Sequence, residues 1–155
     1  MRHRRLGIGA VLGSGVIVAA SLVTAPFAGA VSPDTATVSF DCGSFGSGTA
    51  TLTASQDSST ATITLSTSAI TAPIEVSANS VSSSLVLTDS NSQTVTLTGN
   101  SNPDIPAGSP VSTGPLTGTV PTSDGLQATS LTVTVFGITV TCNATSAQDP
   151  GPFVF

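Results

Sequence analysis

The chain has 155 residues and carries eight acidic residues against three arginines and one histidine, which gives a formal net charge of −5 at pH 7. It contains no Trp or Tyr, and only 7% of its residues are charged, so its solubility depends mainly on Ser and Thr. This length suits a single domain behind a leader, and the scarcity of basic residues excludes a protein that neutralises nucleic-acid phosphates.

Residues 1–30 are predicted to be a secretory signal peptide. Three arginines lie within the first five residues, and an uncharged stretch rich in Gly, Ala and Val follows and ends at Ala28-Gly29-Ala30. An uncleaved anchor is the alternative, because the stretch is long enough to cross a bilayer. The helix-breaking Pro26 and the small residues before the cut favour cleavage after Ala30. We therefore predict one secreted domain over residues 31–155, with no membrane span after cleavage.

The rest of the chain alternates apolar residues with Thr or Ser, which is typical of half-buried β-strands. Residues suited to turns separate these runs, and no window predicts a helix. The regular runs cover residues 36–42, 49–54, 60–66, 94–98 and 131–135, and less regular ones cover 74–77, 81–88 and 116–120.

The fold prediction is therefore all-β. Seven or eight short strands separated by turns indicate an antiparallel β-sandwich of immunoglobulin-like or jelly-roll type. The one long irregular stretch covers residues 99–115 and contains four prolines, so we predict a loop there.

The two cysteines are predicted to form a disulfide. Cys42 alternates in phase with Val38 and Phe40, and Cys142 alternates in phase with Ile138 and Val140. Both thiols should therefore face the apolar side of their strands. In an exported protein such a pair is most simply a bond that joins the first and last strands. A redox-active pair would need a nearby cation or helix start, and a metal site would need more ligands.

The chemistry available to residues 31–155 is narrow, because they contain no Lys, Arg or His. A nucleophilic serine would lack its general base, and phosphoryl transfer would lack a cation. The Gly-rich run 43–48 has no P-loop lysine and is interpreted as a turn. Carboxylates alone remain, without the aromatic platforms typical of sugar-binding sites. We predict no catalytic residue, no cofactor and no nucleic-acid partner.

Calcium is the one ligand for which the loop offers donors. Asn100, Asn102 and Asp104 stand at alternate positions, as the ligands of a calcium loop do. The group contains one carboxylate and lacks the Gly and Glu of a complete calcium loop, and Asn and Asp beside Pro are ordinary turn residues. The sequence predicts no metal site and leaves these three residues as the calcium candidates.

The segment Val140-Thr-Cys142, followed by Gln148-Asp149, resembles the end of secreted β-sandwich proteins of unknown function from high-GC Gram-positive bacteria. In those proteins the late cysteine pairs with an early one, a position that Cys42 occupies here. The resemblance covers about the last twenty residues and the cysteine framework. It implies an exported location and a β fold, and it implies no activity.

Two functions follow as expectations. The first is a secreted or cell-wall-associated structural or interaction domain, without enzymatic activity, that binds a protein or envelope partner through an exposed strand edge. The alternative is a ligand-binding module that uses the 99–115 loop, either with calcium or without it.

Overall fold

The computed structural model of the chain describes residues 30–121 and 125–155. The predicted signal peptide, except Ala30, lies outside the described residues. No helix in the described part of the chain is long and apolar enough to cross a membrane.

Nine strands and one short 3-10 turn form the regular structure of these residues. In chain order they are β1 (Thr35–Asp41), the 3-10 turn (Gly43–Phe45), β2 (Ser47–Asp57), β3 (Thr60–Thr71), β4 (Ser82–Thr88), β5 (Thr94–Gly99), β6 (Pro110–Thr119), β7 (Gly125–Val135), β8 (Ile138–Ala144) and β9 (Phe153–Val154).

The strands form one antiparallel sheet that closes on itself. Eight of them follow the order β1-β2-β3-β6-β5-β4-β7-β8, and β8 pairs back with β1, while the short β9 adds to the start of β7. Strands β4 to β7 have the spatial order 7-4-5-6 of a Greek key. The all-β, antiparallel prediction is confirmed. The predicted sandwich is not, because the sheet closes into an eight-stranded barrel.

Two short seams account for this difference. Strands β1 and β8 pair at Phe40↔Ala144 and Asp41↔Asn143, and β5 pairs with β6 at Thr98↔Thr117. The β5–β6 approach requires glycine, since a Cβ on Gly118 would lie 2.7 Å from the carbonyl oxygen of Thr96. Without these two seams the same strands would form two separate four-stranded sheets.

The core fills the barrel interior because each strand turns alternate side chains inward. In β2, for example, Leu52 and its apolar neighbours are buried while the threonines between them are exposed. The C-terminal segment closes one end, where Phe153 and Phe155 are buried with ring centroids 6.0 Å apart. The largest fully buried side chains are Phe40, Phe153, Leu52, Ile63, Leu65, Leu85, Leu87, Leu97, Leu116, Leu126, Leu131 and Val38.

Two predicted segments differ from the structure. Residues 74–77 form no strand, and Val76 makes only an isolated bridge with Ile105. The predicted loop ends earlier than expected, because β6 begins at Pro110. Its Gly114 and Pro115 lie where the β3–β6 register shifts, between Ile63↔Leu116 and Leu65↔Thr113. A bulge of this kind accepts a proline within a strand.

Candidate functional site

Four loops meet at one end of the barrel. Because neighbouring strands are antiparallel, the odd-numbered strands run together toward this end and the even-numbered strands run back from it. The connections β1–β2, β3–β4, β5–β6 and β7–β8 therefore share it. They comprise residues 42–46, 72–81, 100–109 and 136–137.

These loops expose most of the large apolar side chains on the surface of the described residues. The exposed fractions are 51% for Phe45, 57% for Ile74, 58% for Phe136 and 54% for Ile138. We call these four residues the apolar end. The other large apolar side chain of comparable exposure, Val154, lies on β9 at the opposite end.

A groove of about 310 Å³ lies within the apolar end. Phe45, Phe136 and Ile138 line it together with Pro73, and buried valines of the core, including Val76, also line it. Its volume is at the lower limit for small-molecule pockets. A groove of this size and composition suits one or two inserted apolar side chains.

Phe136 is held at the tip of the β7–β8 hairpin in a left-handed backbone conformation. Val135 pairs with Ile138, which leaves Phe136 and Gly137 as a two-residue turn with φ values of 52° and 77°. Asn, Asp and Gly dominate such turns, since a bulky side chain is disfavoured at positive φ. The backbone conformation of Phe136 therefore costs free energy, although its side chain is largely exposed.

Phe45 is presented by a tight turn that begins beside the disulfide. The Cys42 N–H donates to the Gly46 carbonyl at 2.8 Å, and Gly43 at φ 63° donates its N–H to Asp41 Oδ1 at 2.9 Å. The bond between Cys42 and Cys142 therefore anchors both the Phe45 turn and the strand that begins at Ile138. The predicted disulfide is confirmed, and both cysteines are buried.

Three carboxylates lie at this end, one at the end of β1 and two on the loops. Asp41 precedes the Phe45 turn, and Glu75 is exposed between Ile74 and Val76. Asp104 adjoins Ile105. Ile105 and Val76 exchange two backbone hydrogen bonds, each N–H donating to the other residue's carbonyl at 2.9 Å. These acids have no basic neighbours among residues 30–155, since that part of the sequence contains no Lys, Arg or His.

The three calcium candidates make different contacts and do not form one site. Asn102 is buried, and its Oδ1 accepts the N–H groups of Ser80 at 2.8 Å and Val81 at 2.9 Å. Its Nδ2 donates to the carbonyls of Ser77 and Pro103. Asp104 Oδ1 accepts the Ala78 N–H at 2.8 Å, while Asn100 is exposed and lines a different groove. Asn102 and Asp104 thus fasten the 77–81 segment to the 100–105 segment.

That different groove is lined mainly by Ser and Thr residues and runs across the β5–β6 seam. It measures about 760 Å³, and its lining consists mainly of hydroxyl side chains from four strands. They include Ser82, Ser84, Thr98, Thr117, Thr132 and Thr134. The lining contains no charged or aromatic side chain, so it offers hydrogen bonds without an anchor.

The closing Gln148-Asp149 pair has a structural role. Gln148 is buried, and its Oε1 accepts the Ala128 N–H at 3.1 Å while its Nε2 donates to the Gly151 carbonyl at 2.7 Å. The backbone of Asp149 bridges to Thr37. These contacts fasten the C-terminal segment to the barrel.

Sequence reasoning did not identify the apolar end. The alternation predicts that Ile138 faces inward with Val140 and Cys142, yet Ile138 is exposed because the neighbouring β1 ends at Asp41, short of the level of Ile138. One signal was available, since a Phe-Gly pair occupies a hairpin turn where Asn-Gly or Asp-Gly is typical.

Within residues 30–121 and 125–155, no three His, Cys, Asp or Glu residues form a group that could hold a metal ion. No family model, curated protein or solved structure matches this chain.

Proposed function

We propose that this protein is an exported, non-enzymatic interaction domain that binds a protein partner through its apolar end. The signal-peptide pattern of residues 1–30 and the disulfide typical of oxidising compartments support the exported location. The secreted protein either diffuses away or stays at the cell wall, where an envelope protein is the partner.

The observation that carries the proposal is the exposure of Phe45, Phe136 and Ile138 along one groove, with the exposed Ile74 next in the chain to its lining residue Pro73. Single exposed apolar residues are common, but a contiguous patch on a soluble domain typically marks an interaction site. Phe136 supports this reading further, because retaining a bulky residue at positive φ costs stability without filling the core.

A loop surface suits this fold better than the strand edge expected from the sequence. Barrel closure brings the outer strands together at the β1–β8 and β5–β6 seams, by two residue pairs and one, so an added strand would have to enter between strands that already adjoin. A partner that meets the loops of one end requires no opening of the sheet.

Photo-crosslinking tests this proposal in the cells that make the protein. A photoreactive phenylalanine analogue replaces Ile138 in one variant and Val154 in another. Both positions carry exposed apolar side chains, but they lie at opposite ends of the barrel. We expect a discrete crosslinked adduct from position 138, identified by mass spectrometry, and none from position 154.

Equal adducts from both positions, or no adduct from position 138 under illumination that crosslinks a control complex, would contradict the proposal. Equal secretion and equal melting temperatures of the two variants provide the folding control.

A further inference from the structure

The end of the barrel that carries the apolar end also carries the groove and three carboxylates, and residues 31–155 contain no Lys, Arg or His to balance them. We infer that the partner segment of the apolar end is cationic and amphipathic, with one or two apolar side chains that enter the groove and Lys or Arg residues beside them. This inference rests on the proposed function and specifies the chemistry of the partner for that same surface.

The apolar part of the inference comes from the groove itself. Phe45 and Phe136 line it from two loops and Ile138 from the start of β8, and its volume of about 310 Å³, at the lower limit for small-molecule pockets, accommodates one or two side chains. Aromatic and aliphatic side chains inserted in such grooves supply most of the binding energy of protein interfaces.

The expectation that the partner is cationic is based on three carboxylates at this end of the barrel. Glu75 lies on the β3–β4 loop beside the exposed Ile74, and Asp104 lies on the β5–β6 loop beside the Val76–Ile105 bridge. Asp41 lies at the base of the Phe45 turn. Basic residues of a partner would meet these groups at the rim of the interface, where complementary charge speeds association and selects partners.

Charge also argues against two other occupants of this surface. A second copy of the chain would bring the same carboxylates against Asp41, Glu75 and Asp104, and like charges oppose each other across an interface. An anionic lipid surface would repel them as well, since a membrane-binding tip normally adds Lys or Arg to its apolar residues.

Binding of three labelled peptides of about ten residues tests the inference by fluorescence anisotropy. The first alternates Leu with Lys, the second replaces Lys with Ser, and the third replaces Leu with Ser. We expect the Leu–Lys peptide to bind most tightly, and we expect Ile138→Ser and Phe45→Ser to weaken its binding about ten-fold each.

Charge variants form a matched pair. Glu75→Gln and Asp57→Asn each remove one negative charge, from opposite ends of the barrel, and Asp57 accepts only the neighbouring Ser58 hydroxyl among the described side chains. We expect Glu75→Gln to weaken Leu–Lys binding about two- to five-fold, which is the range for an exposed ion pair. Asp57→Asn should leave it unchanged, and added salt should reduce the difference.

The outcomes separate the two proposals. If the Leu–Ser peptide binds as tightly as the Leu–Lys peptide and Ile138→Ser weakens both, the charge inference is wrong and the apolar end remains the binding surface. If the Ser–Lys peptide binds equally well and no variant matters, both proposals are wrong.

Two further results would overturn the inference in favour of another occupant. The first is binding to phosphatidylcholine vesicles that Ile138→Ser abolishes, which would identify a lipid surface. The second is a dimer in light scattering that Ile138→Ser dissociates, which would identify a second copy of the chain.

Discussion

Phe136 occupies a backbone conformation that glycine and asparagine normally fill. Replacing it with Asn should relieve a cost of about 1–2 kcal/mol and lose some apolar contact with the groove. We expect Phe136→Asn to raise the free energy of unfolding by about 0.5–1 kcal/mol in urea titrations while it weakens binding at the apolar end.

Ile138→Ser is the control for this prediction, because Ile138 begins a strand and has no strained conformation to relieve. It should weaken binding without stabilising the fold. A Phe136→Asn variant that loses as much stability as a truncated core leucine would contradict the interpretation, since the ring would then act as part of the core.

Asn102 is the buried residue on which the loop structure depends. Its amide joins four backbone groups on two segments, and replacement by Ala would leave the Ser80 and Val81 N–H groups without their acceptor. We expect Asn102→Ala to lower the free energy of unfolding by about 2–3 kcal/mol, measured by urea unfolding. Asn100→Ala, at an exposed neighbouring position, is the control and should change it by less than about 0.5 kcal/mol.

The β1–β8 seam contains few strand hydrogen bonds, so the disulfide contributes a large share of its stability. The two strands share two residue pairs, and Cys42 bonds Cys142 where the next pair would lie. The loop that this bond closes spans a sequence separation of 100 residues. A closure of that length stabilises a fold by up to about 4–5 kcal/mol.

We therefore expect the double variant Cys42→Ser, Cys142→Ser to lose several kcal/mol of unfolding free energy, up to about 4–5, in urea titrations. The wild type under reducing conditions should lose a similar amount, and a reducing agent should not affect the double variant. A double variant as stable as the oxidised wild type would contradict this role of the seam.

The hydrogen bonds of Asn102 and Asp104 lead us to expect that calcium does not change the stability of the protein. Asn102 Oδ1 already accepts two N–H groups and Asp104 Oδ1 accepts one, so calcium would have to displace hydrogen bonds that hold the loop together. We expect the melting temperature to stay the same in millimolar calcium and in chelator. If calcium instead raises the melting temperature and Asp104→Asn removes that increase, the ligand-binding module with calcium is favoured.

Strands are predictable from this sequence where one face is buried and the other is hydroxylated. The runs at residues 36–42, 60–66 and 94–98 match β1, β3 and β5 because strict alternation sets both the strand and its inward face. The sequence predicts a loop instead of the first half of β6, since Pro110, Gly114 and Pro115 are local loop signals. The pairing of β6 with β3 outweighs them, and sequence alternation does not encode that long-range pairing.

For the whole molecule, the choice between sandwich and barrel is made by contacts that local patterns do not contain. The β5–β6 seam is one residue pair long and requires the close approach allowed at Gly118, while the β1–β8 seam adds two pairs and the disulfide. The apolar end arises in the same way. Phe45, Ile74 and the hairpin that carries Phe136 and Ile138 are distant from one another in sequence, and the antiparallel order of the strands brings them to one end.

The central claim is that the apolar end is the binding surface of this domain. Amide chemical shifts of the isotope-labelled protein, recorded while the Leu–Lys peptide is added, test it most directly. We expect saturable shifts concentrated at residues 43–46, 74–76 and 136–140, and their loss in Ile138→Ser. Shifts concentrated at the hydroxyl-lined groove around residues 82–84 and 132–134, or scattered evenly over the barrel, would contradict the claim.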